Sequence, residues 1–143
     1  GVIDFQDAVT GPITYDLVSL LRDAYVEWPV ERVNGWVEQF RNRLLQVGQI
    51  GEDVDAEAFL AWFDWMGAQR HLKVLGIFAR LSLRDGKHGY LNDIPLVFKY
   101  LLHEIADYPD LREFSHWLRT RILPAYLEKY PAAAALLQAG APT

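Results

Sequence analysis

The sequence contains no cysteine, which excludes a disulfide framework, a thiolate zinc site, an iron–sulfur cluster and a cysteine nucleophile. No apolar run approaches the ~20 residues that cross a membrane, and the first residues show no signal-peptide pattern. Basic residues number 14 against 19 acidic ones, and the two kinds are interspersed. The composition therefore predicts neither a nucleic-acid partner nor a membrane partner, and the lack of cysteine is typical of a cytoplasmic protein.

What the chain does contain is enough apolar material for a core. Hydrophobic residues make up 51% of the 143 residues, which is typical of one folded domain or one lobe of a larger one. Helical spacing of apolar residues, with capping residues and prolines between the segments, predicts a mainly α fold. The predicted helices cover residues 15–25, 29–47, 56–83, 93–106 and 110–130, the last kinked at Pro124, and a short helix follows from Pro131.

The chain begins differently from the rest. Residue 1 is Gly rather than Met, and Val2, Ile3 and Phe5 are good strand formers around Asp4. A single strand cannot form a sheet alone, so we expect a fragment whose upstream half lies elsewhere; a processed or tag-cleaved start is the alternative. The predicted domain is a single helical unit over residues 1–143, with a strand and turn in 1–13, helices in 14–139 and a frayed tail in 140–143.

Most sequence patterns that are typical of metal sites, nucleophiles or phosphate loops do not occur in this sequence. The histidines lie at positions 71, 88, 103 and 116, so no pair has the i, i+4 spacing of a helical zinc site. Neither a nucleophile elbow nor a Gly-rich phosphate loop is present. One local pattern is left: Asp4 at the mouth of the strand, followed by Asp7. Such a carboxylate is either a turn former or an oxygen ligand for Mg²⁺, and the pattern alone leaves both open.

The segment Val2-Ile3-Asp4-Phe5-Gln6-Asp7-Ala8, with Gly11-Pro12 and residues 15–21, resembles the metal-binding segment of the aminoglycoside phosphotransferase and choline-kinase-like family. The resemblance implies an ATP-dependent kinase, and a chain that is the helical C-terminal lobe of a protein-kinase-like fold with a strand remnant. It also implies that Asp4 holds Mg²⁺ at the nucleotide phosphates. In the same way it implies that Asp16 steadies the catalytic loop, with Asp7 as a further supporting residue.

A narrower likeness lies further along the chain. Residues 62–81, with 84–87, 90–91 and 94–96, are similar to bacterial cell-wall sugar kinases of this family, which phosphorylate the anomeric hydroxyl of N-acetylmuramate and N-acetylglucosamine in peptidoglycan recycling. The implied partner is therefore a small sugar. An aminoglycoside, choline or a homoserine-like alcohol is an alternative acceptor, and a helical interaction domain without chemistry is a further one.

Several parts of the family pattern are missing from this sequence. The nucleotide-covering loop, the phosphate-contacting lysine and the catalytic loop His-x-Asp-x-x-x-x-Asn do not occur in this sequence. The catalytic base is thus expected upstream, in a missing N-terminal lobe. These residues alone are expected to be inactive, and their uncovered apolar surface is expected to favour self-association.

The longest predicted helix offers the acceptor-site candidates. Asp64 and His71 fall within ~20° of each other on a helical wheel, in an apolar stripe, so both need partners. One interpretation is a structural pair that ties helices together. The other is that Asp64, Arg70 and His71 bind the sugar through its hydroxyl, acetamido or lactyl groups.

Overall fold

The computed structural model describes residues 10–138, and these residues are mainly helical, with no strand among them. The α-helices are α1 (Tyr15–Leu21), α2 (Val30–Gln46), α3 (Ala56–Asp85), α4 (Ile94–Glu104), α5 (Arg112–Trp117), α6 (Leu123–Lys129) and α7 (Ala134–Gln138). Short 3₁₀ turns precede α4, α5 and α7. The mainly α prediction is confirmed. The predicted strand and the whole predicted tail, residues 140–143, fall within residues 1–9 and 139–143, outside the described residues. None of the described helices is long and apolar enough to cross a membrane.

The longest helix begins at the predicted residue, Ala56, and ends at Asp85, two residues beyond the predicted end. Asp55 caps α3, because its carboxylate accepts a 2.8 Å hydrogen bond from the backbone N–H of Ala58. Gly86 ends the helix in the left-handed conformation with φ 66°, which glycine adopts without a steric cost. The resulting helix is 30 residues long and contributes to both hydrophobic clusters of the described residues.

The first helix is shorter than predicted, since α1 ends at Leu21 rather than near Tyr25. Arg22 leaves the helical conformation at φ −127° and ψ 52°, and its carbonyl oxygen faces a ring nitrogen of His71. The chain turns there because Arg22 is bound on both its backbone and its side chain to other helices.

The last long helix is interrupted where a kink was predicted. A π-helical segment, Leu118–Ile122, separates α5 from α6, and Pro124 lies in the first turn of α6. Proline has no backbone N–H to donate, and its ring crowds the preceding helical turn. The π-helical segment, with its wider hydrogen-bond spacing, lies in that preceding part of the helix.

Two hydrophobic clusters form the core, and α3 contributes to both. The first lies between α1, α2 and the start of α3 and contains Leu17, Val18, Leu21, Val33, Val37, Leu44, Val54, Phe59 and Phe63. The second lies around the rest of α3, α4 and the π segment and contains Ala68, Phe78, Ile94, Val97, Phe98, Leu101, Leu102, Ile105 and Leu118. Asp64 and Gly67 fall on α3 between Phe63 of one cluster and Ala68 of the other, which places a polar layer at that level.

Candidate functional site

Four ionisable side chains meet in the polar layer: Arg22 after α1, Asp64 and His71 on α3, and Glu104 at the end of α4. Three of them are buried, with 5% of Arg22, 2% of His71 and none of Glu104 exposed. Buried charges persist in folded proteins when they are paired and hydrogen-bonded, so the contacts among these groups decide what the cluster can do.

Arg22 is the centre of the cluster. Its Nη1 atom donates to Asp64 Oδ1 at 2.7 Å and to Glu104 Oε1 at 3.0 Å. The guanidinium also lies over the ring of Phe63, 4.5 Å from the ring centroid, which is a cation–π distance. One cation thereby joins the end of α1 to α3 and α4.

His71 completes the link between α3 and α4. Its Nδ1 atom lies 2.8 Å from Glu104 Oε2, and its Nε2 atom lies 3.0 Å from the backbone oxygen of Arg22. The ring stacks on Tyr100 with centroids 5.2 Å apart. Both ring nitrogens are therefore engaged within the chain.

Gly67 makes the close approach of α4 possible. A Cβ atom at this position would collide with the Glu104 carboxylate, which Arg22 and His71 hold in place. A side chain on this turn of α3 would push Glu104 out of the cluster, so glycine is required here by packing.

Two tyrosines border the cluster. Tyr108 donates to Asp64 Oδ2 at 2.8 Å, and its pKa is raised first by burial and then by that hydrogen bond. Tyr100 donates to the backbone oxygen of Val26 at 2.7 Å, and burial raises its pKa to about 12. Both phenols stay protonated at neutral pH and act as hydrogen-bond donors.

The residues that the sequence proposed for the acceptor site occupy different positions around this cluster. Asp64 and His71 do not contact each other; Arg22 connects them, in a variation on the structural pair considered above. Arg70 lies over the ring of Tyr15, 4.5 Å from its centroid. Arg70 and His71 also line a small cavity of ≈ 170 Å³, next to Asp23.

The metal-segment residues are placed only in part. Asp16 lies exposed in the first turn of α1. Asp4 and Asp7 fall outside the described residues. Within residues 10–138, no group of three or more His, Asp or Glu side chains is arranged to hold a metal ion.

A larger cavity of ≈ 400 Å³ opens beside the cluster. Its walls come from the loop after α1, the start of α2, and α4, and its lining residues are Arg22, Glu27, Trp28, Pro29, Val30, Val33, Lys99, Tyr100 and His103. The Nζ atom of Lys99 lies 2.6 Å from Glu27 Oε1 at its edge.

Sequence reasoning missed Arg22 and Glu104, the two groups on which the cluster depends. Both carry a signal in the sequence, because each continues a buried apolar stripe. Arg22 lies four residues after Val18, and Glu104 lies three and seven residues after Leu101 and Val97. A charge on a buried face implies a partner. Which partner it finds depends on how α1, α3 and α4 pack.

The N-terminal part of the chain matches a known protein family. The model of the phosphotransferase enzyme family matches residues 1–48. That range contains Asp4, Asp7, Asp16 and Arg22, and the match confirms the resemblance seen in the motif of residues 2–21. No solved structure matches the chain significantly.

Curated proteins named N-acetylmuramate/N-acetylglucosamine kinase are similar to most of the chain. The protein from Pseudomonas putida is 50% identical over 113 residues, 79% of this chain and 33% of its own length. Those from Pseudomonas aeruginosa and Neisseria meningitidis are 47% and 51% identical over 82% and 78% of this chain. The chain thus spans about a third of the length of the relatives it matches.

Proposed function

We propose that this chain is the C-terminal, acceptor-binding lobe of an ATP-dependent small-molecule kinase of the phosphotransferase enzyme family. The proposed reaction transfers a phosphoryl group to a sugar hydroxyl, the anomeric hydroxyl of N-acetylmuramate or N-acetylglucosamine. The observation that carries the proposal is the 47–51% identity to kinases of that name over about four fifths of the chain. A kinase of this kind works in the cytoplasm, where ATP is available.

The N-terminal segment is proposed to serve the nucleotide. Asp4 is the proposed Mg²⁺ ligand, and Asp7 and Asp16 are proposed to support the loop that carries the catalytic base. When bound, Mg²⁺ would neutralise the charge that develops on the transferred phosphoryl group. The base itself is proposed to lie in an N-terminal lobe, in line with the share of the relatives that this chain covers.

Asp64, Arg70 and His71 are proposed to form the acceptor side. Arg70 lines a cavity, and no carboxylate of the described residues forms an ion pair with its guanidinium group. The guanidinium group is therefore able to bind the sugar directly. The Asp64 side chain is 14% exposed, and its two oxygens accept from Arg22 and Tyr108, so its proposed contact with the sugar uses the remaining lone pairs of the carboxylate. His71 has both ring nitrogens engaged, so its proposed part is to hold the Glu104 carboxylate and the Arg22 backbone in position.

The test is ADP release by the full-length parent protein with ATP, Mg²⁺ and one acceptor at a time. We expect turnover with N-acetylmuramate and N-acetylglucosamine, and background with choline, homoserine and an aminoglycoside. Asp4→Ala should remove nearly all of it, since losing a group that holds the metal costs several kcal/mol of transition-state stabilisation. Asp110→Ala, an exposed acidic residue away from the motif, is the matched control.

Turnover on another acceptor alone would overturn the assigned sugar. More than about a tenth of wild-type kcat in Asp4→Ala would overturn the role of Asp4, because a tenfold loss corresponds to only ~1.4 kcal/mol. A folded parent protein that consumes ATP with none of these acceptors would favour the helical interaction domain.

A further inference from the structure

The ≈ 400 Å³ cavity beside Arg22 has the size of a small-molecule site, which is typically about 300–1,000 Å³. It lies between the loop that follows α1 and the outer face of α4. Neither Asp64 nor Arg70 lines it, so it adds a second surface to the acceptor side described above.

Contacts within the chain hold the walls of this cavity in place. The Tyr100 hydroxyl donates to the Val26 backbone and fastens the loop to α4. The Trp28 ring packs edge-on against Trp36, with centroids 5.4 Å apart and the planes at 87°. Arg22 is fixed by its two carboxylate partners. A cavity with fixed walls loses little conformational entropy when a ligand enters.

The lining combines an aromatic surface with basic side chains. Trp28 is 37% exposed, and an indole face suits the C–H face of a sugar ring. Lys99 and His103 stand one helical turn apart on α4 and both line the cavity. Among the described residues that line the cavity, only Glu27 carries a carboxylate, and it pairs with Lys99.

The Lys99–Glu27 pair can exchange its carboxylate for another. The Glu27 side chain is 45% exposed and that of Lys99 is 19% exposed, so water reaches the pair. Ion pairs of this exposure contribute little net stability, because solvent screens them. A carboxylate on a ligand could therefore take the place of Glu27 at the Lys99 ammonium group at small cost.

We propose that this cavity binds the carboxylate-bearing arm of an acidic sugar, with Lys99 pairing the carboxylate and Trp28 stacking on the ring. The inference rests on the proposed function and names Lys99 as the residue that sets acceptor specificity. Of the two sugars in the names of the relatives, N-acetylmuramate carries a lactyl carboxylate and N-acetylglucosamine does not. Lys99 thus distinguishes the acidic sugar from the neutral one.

Two other cavities of the described residues are larger but have no basic side chain in their lining. One, of ≈ 510 Å³, is lined by Pro12, Ile13, Thr14, Trp62, Trp65 and Met66. The other, of ≈ 520 Å³, is lined by Leu17, Leu20, Leu21, Trp28, Trp36, Gln39 and Phe40. Neither lining includes a cation that could pair a carboxylate.

The experiment measures KM for both sugars in the full-length parent protein. Lys99→Met should raise KM for N-acetylmuramate about tenfold or more relative to its effect on N-acetylglucosamine, as expected for a lost charge-assisted hydrogen bond. Glu27→Gln frees the ammonium group and should lower KM for N-acetylmuramate selectively. Lys129→Met, on α6 beside Tyr130, is the matched control and should change neither constant.

Titration calorimetry of both sugars without nucleotide separates this inference from the proposed function. Phosphorylation of both sugars with an unaltered ratio in Lys99→Met and Glu27→Gln would overturn the inference and leave the kinase intact. A wild-type protein that phosphorylates neither sugar, yet binds N-acetylmuramate through Lys99, would overturn the kinase and leave the carboxylate site. Absence of binding and turnover for both sugars would overturn both.

Discussion

A glycine in the middle of the longest helix faces a buried carboxylate, and the two positions constrain each other. Gly67 leaves room for Glu104, which cannot retreat without losing Arg22 and His71. Gly76, further along α3, has open space where a Cβ would stand. The same substitution at the two positions should therefore have opposite effects on stability.

We expect Gly67→Ala to lower the free energy of unfolding by about 1–3 kcal/mol, the usual cost of overpacking a core. Gly76→Ala should raise it by about 0.5–1 kcal/mol, because alanine restricts the unfolded chain and favours the helix. Urea denaturation of the two variants in the parent protein provides the measurement. A neutral or stabilising Gly67→Ala would show that Glu104 is free to move.

Arg70 and His71 are neighbours in the sequence with different surroundings. Arg70 should contact the acceptor, so Arg70→Ala should raise the sugar KM several-fold and leave the nucleotide KM nearly unchanged. His71→Ala should raise the sugar KM and also lower the melting temperature, because buried Glu104 loses one of its partners. If Arg70→Ala changes only the melting temperature, Arg70 has a structural role on Tyr15 and no contact with the sugar.

Tyr100 makes stability depend on alkaline pH. Burial raises its pKa from 10.0 to about 12, so the folded protein holds the phenol proton more tightly than the unfolded chain does. This contribution is fully present below pH 10 and is lost as the pH rises towards 12. We expect the free energy of unfolding to fall less steeply over that window in Tyr100→Phe than in wild type. Equal slopes would contradict the raised pKa.

At the scale of elements, α1, α3 and α4 are joined through ionic contacts as well as apolar packing. Glu104 receives Arg22 from the end of α1 and His71 from α3, and it is fully buried. Removing one partner from such a cluster leaves an uncompensated charge in a medium that solvates it poorly.

Glu104→Gln keeps the size of the side chain and removes its charge, and we expect it to lower the free energy of unfolding by about 3 kcal/mol. Glu113→Gln, on exposed α5, should stay within about 0.5 kcal/mol of wild type. Thermal and urea unfolding of both variants test this. A Glu104→Gln protein as stable as wild type would show that packing alone holds these helices together.

The prediction of elements succeeded where local chemistry decides the outcome. Asp55 and Gly86 mark the ends of α3 because a cap and a left-handed residue act within one turn of the chain. The end of α1 was predicted wrongly, since Arg22 leaves the helix for partners 42 and 82 residues away, and no local signal reports them.

At the scale of the whole molecule, the chain spans about a third of its relatives and contains the residues proposed for the acceptor side, while its sequence has no phosphate loop and no catalytic-loop motif. Its described surface also exposes large apolar side chains, including Leu20 at 71% and Leu83 at 88%. Both features concern what the isolated chain can do.

We expect the isolated 143 residues to release no ADP above background in the presence of sugar, ATP and Mg²⁺, while the parent protein turns over. Phosphoryl transfer depends on positioning and charge stabilisation by groups that this sequence does not contain. The exposed apolar surface should make the chain associate with itself in light scattering. Sugar-dependent ADP release by the isolated chain would show that the catalytic base lies within it, and a monodisperse monomer would contradict the association.

The amino-acid sequence alone is enough to establish the helical class, most helix boundaries and the family resemblance, because periodicity, caps and short motifs are properties of neighbouring residues. It also placed Asp64 and His71 in a buried stripe and predicted that each needs a partner. The identity of those partners, Arg22, Glu104 and Tyr108, depends on how the helices pack, and so does the cavity that Lys99 shares with Trp28. A buried charged group needs a hydrogen-bonding or oppositely charged partner, which can be inferred from the sequence. Which residue becomes that partner depends on the packing of helices that are distant in the sequence.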